Sequence, residues 1–166
     1  MRGQLSYEHL RLGEIDHGAE HMETVFGMAK EFGMQPTVLM HRLRVMVELR
    51  RAEVANCIAR HNAECCLFPL SGGGVHADAA PAKRARESLL AILRDEPGAY
   101  DAQWLLNLTS MAVGDYPGAV PEKFRIPPGV FETKGGVGRF VDIAPKLGLD
   151  ALNLCGGVVA EDFGAI

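Results

Sequence analysis

The chain contains no stretch of about 18 uninterrupted apolar residues, the least a membrane-crossing helix needs, so a membrane span is excluded. Its longest weakly polar stretch, Leu147 to Ala160, is broken by Asp150, Asn153 and paired glycines. Positive charge is not in excess either: 17 basic against 21 acidic side chains leave a formal charge of −4. Nucleic acid requires clustered Lys and Arg against its phosphates, and without that footprint no nucleic-acid partner is expected. The first residues, Met1 to Glu8, hold no apolar h-region and no small-residue cleavage site. Taken alone, that predicts a cytoplasmic protein. No Cys-x2-Cys pair occurs, so the common zinc modules are not matched. The run Gly72-Gly73-Gly74 lacks the Lys-Ser/Thr of a phosphate loop, and no strand feeds it.

What is present is a globular composition, 48% apolar and 23% charged over 166 residues, enough for one domain or one domain and part of another. The first half reads as helix. Ala19, Met22, Phe26 and Ala29, with Val25, Met28 and Phe32 beside them, fall three and four apart and predict a helix from about Asp16 to Glu31. Asp16 is the expected cap, and Gly33 and Pro36 mark the end. A longer helix is expected over 37–60, its stripe being Leu39, Leu43, Met46, Val47, Val54 and Ile58. Arg42, Arg44, Arg50, Arg51 and Arg60 read as its solvated face, and His9, His17, His21 and His41 as surface residues. After a break over 67–82, a helix from Pro81 to Asp95 presents Ala85, Leu89, Ile92 and Leu93. Another follows Asp101 and carries Trp104, Leu105, Leu108 and Met111 up to Gly114, with Trp104 expected in the core. Paired helices with short loops suggest antiparallel hairpins. Five prolines and five glycines between 117 and 145 rule out a long helix there. Beyond them Phe140-Val141-Asp142-Ile143 and Gly156-Gly157-Val158-Val159-Ala160 alternate or run like strands.

Two resemblances rest on these segments. Trp104-Leu105-Leu106-Asn107-Leu108 through Gly114-Asp115-Tyr116-Pro117-Gly118-Ala119 resembles the first helix and turn of a tetratricopeptide (TPR) repeat, with Leu89 to Pro97 similar to the end of the preceding repeat. Gly138-Arg139-Phe140-Val141-Asp142-Ile143-Ala144-Pro145, followed by Gly156 to Phe163, resembles the entry into the β-propeller of bacterial FG-GAP/VCBS-repeat proteins of the ASPIC/UnbV, cartilage acidic protein-like, family. Asn56-Cys57-Ile58-Ala59-Arg60-His61-Asn62, Cys66-Leu67-Phe68-Pro69 and Gly72-Gly73-Gly74-Val75-His76 resemble the helical region before that propeller.

The expected fold class is therefore mainly α: a TPR-like module of antiparallel helical hairpins over 1–117, a Pro/Gly-rich linker over 118–138, and the truncated start of a β-propeller-like region over 139–166. In the family the strand ending Glu-Asp-Phe leads into an Asp-x-Asp-Gly calcium loop. Here Glu161-Asp162-Phe163 is followed by Gly164-Ala165-Ile166, so calcium is implied only for a missing propeller and no cofactor is expected. Both ends are expected to be truncated, and the orphan β segment to favour self-association. The family's exported habit implies a periplasmic or secreted location, against the cytoplasmic reading, so localisation stays open.

The function this implies is a protein-interaction or scaffold module that binds a protein or peptide, or braces a propeller. Asn107 and Ser110 on the first repeat helix are its expected partner-binding positions. The alternative is a metal-binding or redox module of Cys57, His61, Cys66 and His76, which offer N and S ligands close in sequence. The resemblance also implies a Cys57–Cys66 disulfide, which requires the helix to end near His61 and the chain to turn back. Free thiols are the third state open to these cysteines. Cys66 with His61 or His76 is the candidate nucleophile–base pair, but no orienting third group or oxyanion motif accompanies it, so no enzyme is expected.

Overall fold

The computed structural model describes residues 2–65, 67–132, 141 and 143–148. Two compact units divide the chain at residue 132, and each is described by itself. Five α-helices form among the described residues of the first unit: α1 (Arg2–Arg11), α2 (Ile15–Glu31), α3 (Val38–Ala52), α4 (Ala80–Asp95) and α5 (Tyr100–Val113). The mainly helical class is as the sequence predicts.

Local chemistry sets the helix ends. Thr37 caps α3: its hydroxyl accepts from the Met40 amide, while its own amide donates to the Met40 thioether at 3.3 Å. Pro81 sits in the first turn of α4, where its missing N–H costs nothing. Gly114 ends α5 at φ +85°, a left-handed cap that a side chain would strain. Helix α2 begins one residue before the expected cap: Glu14 is at its N-cap position without a side-chain cap bond, and Asp16 lies in the first turn, where its charge favours the helix dipole.

Helix α1 packs on α2, α3 lies against α2 and most extensively against α4, and α4 packs on α5. Val45, Leu89, Ile92, Leu93 and Leu106 form the main core, with a smaller cluster of Ala19, Met22 and Val47 between α2 and α3. Glu48 of α3 is buried at the α3–α4 contact, and Arg84 clasps it with two hydrogen bonds of 2.9 Å. The arginine face of α3 is tied to its neighbours as well as solvated: Arg42 pairs with Asp101 and, at 3.1 Å, with Glu96.

The long helix expected over 37–60 keeps its α pitch only to Ala52. Glu53–Ile58 continues as a π-helical turn. Past that point the predicted stripe fails, and Ile58 is exposed. Within α3, Leu39 and Met46 are also exposed, whereas His41, expected at the surface, is buried edge-on to Phe26.

The segment read as a linker from residue 118 enters the core: Val120 and Phe124 are buried beside Leu89 and Leu106. Short 3-10 turns at Glu122–Phe124 and Pro128–Phe131 shape it. Proline spacing had suggested spacer, but proline forbids only a long helix and leaves compact turns open. Trp104, expected in the core, is 44% exposed and lies among Phe68 and Phe131 instead, with ring centroids 6.2 and 6.1 Å away.

In the second unit, residues 141 and 143–148 are described and hold no strand. Pro145–Leu147 forms a single 3-10 turn that Gly148 closes at φ +67°. The rest of the β segment expected over 139–166 lies outside the described residues.

Candidate functional site

The π-helical turn at the end of α3 places Asn56 inward and Cys57 next to it at a cavity wall. The Asn56 amide donates to the Ala52 carbonyl (2.9 Å) and to the Asp78 carbonyl (3.0 Å), and its oxygen accepts from the Asp78 amide (2.9 Å). This side chain thereby closes the excursion from 59 to 79 back onto α3. Inside the excursion, the Glu64 carboxylate accepts from the Gly73 amide at 2.6 Å, and the Asn62 amide donates to the Gly73 carbonyl at 2.9 Å. The glycine run is a steric requirement: a Cβ on Gly74 would sit 2.5 Å from the Glu64 carbonyl oxygen. Next, the His76 amide donates to the Ala112 carbonyl at the end of α5, at 2.8 Å.

These contacts bring His76 Nε2 to 3.8 Å from Cys57 Sγ. Both residues are half-buried. Burial holds the imidazole below its ordinary pKa, with Asp78 opposing the shift, which favours the neutral form of His76. Its Nδ1 is buried and finds no hydrogen-bond partner among the described residues. Two cavities of about 250 and 270 Å³ share Cys57, Cys65 and His76 in their walls. An apolar wall of Phe68, Leu70 and Leu108 among others belongs to the first; polar Asn56, Arg60 and Asn62 line the second. A neutral imidazole beside a thiol can accept its proton or share a soft cation with it.

Of the residues singled out in the sequence, Cys57 and His76 are brought together, while His61 is exposed. Cys66 lies outside the described residues, and so does any bond from it to Cys57. Cys65 carries a free thiol. Asn107 and Ser110, expected at a partner surface, are fully buried. The Asn107 amide donates to the carbonyls of Gln103 and Phe124, both at 2.8 Å, and its oxygen accepts from the Ile126 amide at 2.9 Å. It fastens the 120–126 segment to α5 and is turned away from any partner. The reason is the unforeseen burial of Val120 and Phe124 over that face of the helix.

A surface the sequence reading missed lies where α2 ends and α3 begins. Val25, Met28, Phe32, Met34 and Met40 line an open groove of about 480 Å³, with Arg2 as its charged member. Phe32 is 67% exposed and Met34 63%. The signal was present in the sequence as Met28 and Phe32 at the end of the first stripe, with Met34 just beyond it. Reading Met28 and Phe32 as part of a core-facing stripe concealed it.

No helix among the described residues is long and apolar enough to cross a membrane. No family model matches the chain, and comparisons with curated proteins and with solved structures return no match.

Proposed function

We propose that the helical unit is a protein-interaction scaffold that works by binding, without turnover. The observation that carries this is the Met- and Phe-lined groove between the end of α2 and the start of α3. Exposed methionines adapt to differently shaped apolar partners, and a volume of about 480 Å³ falls within the usual range of binding pockets. Its proposed occupant is an amphipathic helix of a partner protein. Anchors spaced three, four and seven apart would enter the groove, and an acidic residue near one end would meet Arg2. The TPR-like pairing of helices, and the ASPIC/UnbV resemblance with its bracing of a propeller, belong to the same proposal.

A displayed library of helical peptides, panned against the intact chain, tests it. The expected winners carry that apolar spacing and lose binding to Met34→Asp and Phe32→Asp, which alter exposed positions and leave the core untouched. Winners that bind the variants equally well, or a library without winners, would count against the reading.

A second reading, a thiol-based metal or redox module, is favoured by the Cys57–His76 contact at 3.8 Å between two cavities. It expects a thiol reagent to modify Cys57 faster in wild type than in His76→Gln. Equal rates would remove it.

A further inference from the structure

We propose that His9, Glu14 and His17 form a binding site for a zinc-class divalent ion at the corner between α1 and α2. Among the described residues, these three present one ligand atom each within 4.8 Å of one another. His9 Nδ1 lies 2.6 Å from Glu14 Oε2, and His17 Nδ1 lies 3.9 Å from the same oxygen. Around a tetrahedral zinc with bonds of about 2.0–2.1 Å, donor atoms stand about 3.3–3.4 Å apart, midway between those two separations. Seating the ion would require the His9–Glu14 pair to open and the His17–Glu14 pair to close.

The corner is built to hold the rings where they are. Helix α1 ends and α2 begins within residues 12–14, a reversal that Gly13 allows at φ +79°. The two helices then meet at Ser6 and Gly18, where the buried Ser6 hydroxyl donates to the Gly18 carbonyl at 2.7 Å. A Cβ on Gly18 would come within 3.1 Å of the Ser6 carbonyl oxygen, so glycine permits this approach. His9 in the last turn of α1 is thereby set against His17 in the first turn of α2. Their ring centroids are 5.4 Å apart, edge to face. His21, one turn further along α2, stacks on His9 with centroids 5.1 Å apart and planes 24° apart. We assign it the role of a positioning residue for the His9 ring.

Imidazole and carboxylate donors in this number suit zinc, copper or nickel better than calcium or magnesium, which prefer oxygen cages. Three protein ligands at a part-exposed corner leave a coordination position open to solvent. Bound there, the ion would cross-link α1 to α2 and resist fraying of the chain's first helix.

Untagged full-length protein, titrated with zinc chloride by calorimetry and followed by thermal melting, tests the assignment. One equivalent is expected to bind through this corner, and zinc is expected to raise the melting temperature. His17→Ala and His9→Ala should each lower that affinity by at least about tenfold, and His21→Ala by less. Magnesium should produce neither heat nor shift. Cys57→Ser should leave this equivalent in place, which separates it from the thiol site at the end of α3. No zinc binding, or a stoichiometry and affinity unchanged in His17→Ala, would overturn the proposal. So would loss of the ion in Cys57→Ser alone.

Discussion

Replacing Asn107 by alanine separates two roles for one residue, because its structural place and its sequence-level promise lead to different numbers. Three hydrogen bonds disappear, at 2.8, 2.8 and 2.9 Å. At about 1 kcal/mol net for each, the loss is about 3 kcal/mol. The groups left behind alter that figure little. The Phe124 carbonyl keeps a second donor, the Gln103 side chain at 3.2 Å, and the stranded Ile126 amide is only half-buried, within reach of water. For a unit of 132 residues, about 3 kcal/mol corresponds to a fall in Tm of roughly 10 °C.

The assay is a urea titration read by circular dichroism and by fluorescence. The chain's single tryptophan, Trp104, packs on Phe131 and so reports whether the 120–131 segment stays docked. Its emission should shift to the red before the helices melt. Asn107→Asp should be at least as harmful, since it keeps the acceptor for Ile126 but turns a carboxylate towards two carbonyl oxygens. A surface recognition residue would change stability by less than about 0.5 kcal/mol. A loss that small, with Trp104 emission unmoved, would refute the reasoning.

Three further outcomes are expected. Arg84→Ala should cost about 2 kcal/mol by chemical denaturation: it strips a partner from Glu48, which is 3% exposed, but Arg84 is itself 31% exposed and Arg51 remains 3.7 Å away, so the full buried-pair penalty is not reached. The double substitution Glu48→Leu with Arg84→Met should recover most of that loss. Burial lowers the pKa of His41, with Arg44 and Arg94 adding to the effect and Asp95 opposing it, and burial lowers His76 too. Well above pH 6.5 neither state binds these protons; as pH falls through 6.5 the unfolded chain takes them up first, so stability drops as pH is lowered, by at most about 1.4 kcal/mol per unit per histidine. Denaturation series from pH 7.5 to 5.5 should show that slope flattened in His41→Gln. Gly74→Ala should destabilise by about 1–3 kcal/mol and broaden or shift the His76 ring signals in NMR, because the Glu64 backbone must move. Gly98→Ala, with nothing within 4 Å, should do neither.

The helices were legible because their signals are local. Stripes such as Ala85, Leu89 and Ile92, and punctuation at Pro36, Pro81 and Gly114, place α2, α4 and α5 to within a residue or two. What the sequence concealed depends on partners far along the chain. Val120 and Phe124 sit in a proline-rich stretch whose composition describes only what the backbone avoids, while their burial depends on α4 and α5. Asn107 was expected to meet a partner because the TPR resemblance places it on the first helix of a repeat; here two of its hydrogen-bond partners lie 17 and 19 residues onward. His41 and Glu48 reversed the usual rule that polar residues stay outside, each because a neighbouring helix supplied a ring or an arginine. At the candidate site, the pairing of Cys57 with His76 was within the set the sequence singled out, but the fold that joins them depends on glycines whose steric purpose no spacing rule expresses.

The π-helical turn makes the site depend on chain length as well as on chemistry. A π turn accommodates extra backbone without unwinding the helix before it. Removing one residue from 53–55 would leave α3 as far as Ala52 undisturbed, yet rotate whatever follows by about 100°. Asn56 would swing off Asp78 and Cys57 off His76, although neither residue had been altered. An insertion would do the same in the opposite sense. The end of α3 thus acts as a ratchet set at one tooth: exchange of the side chains at 53–55 perturbs the site by degrees, whereas a single-codon deletion there abolishes it at once.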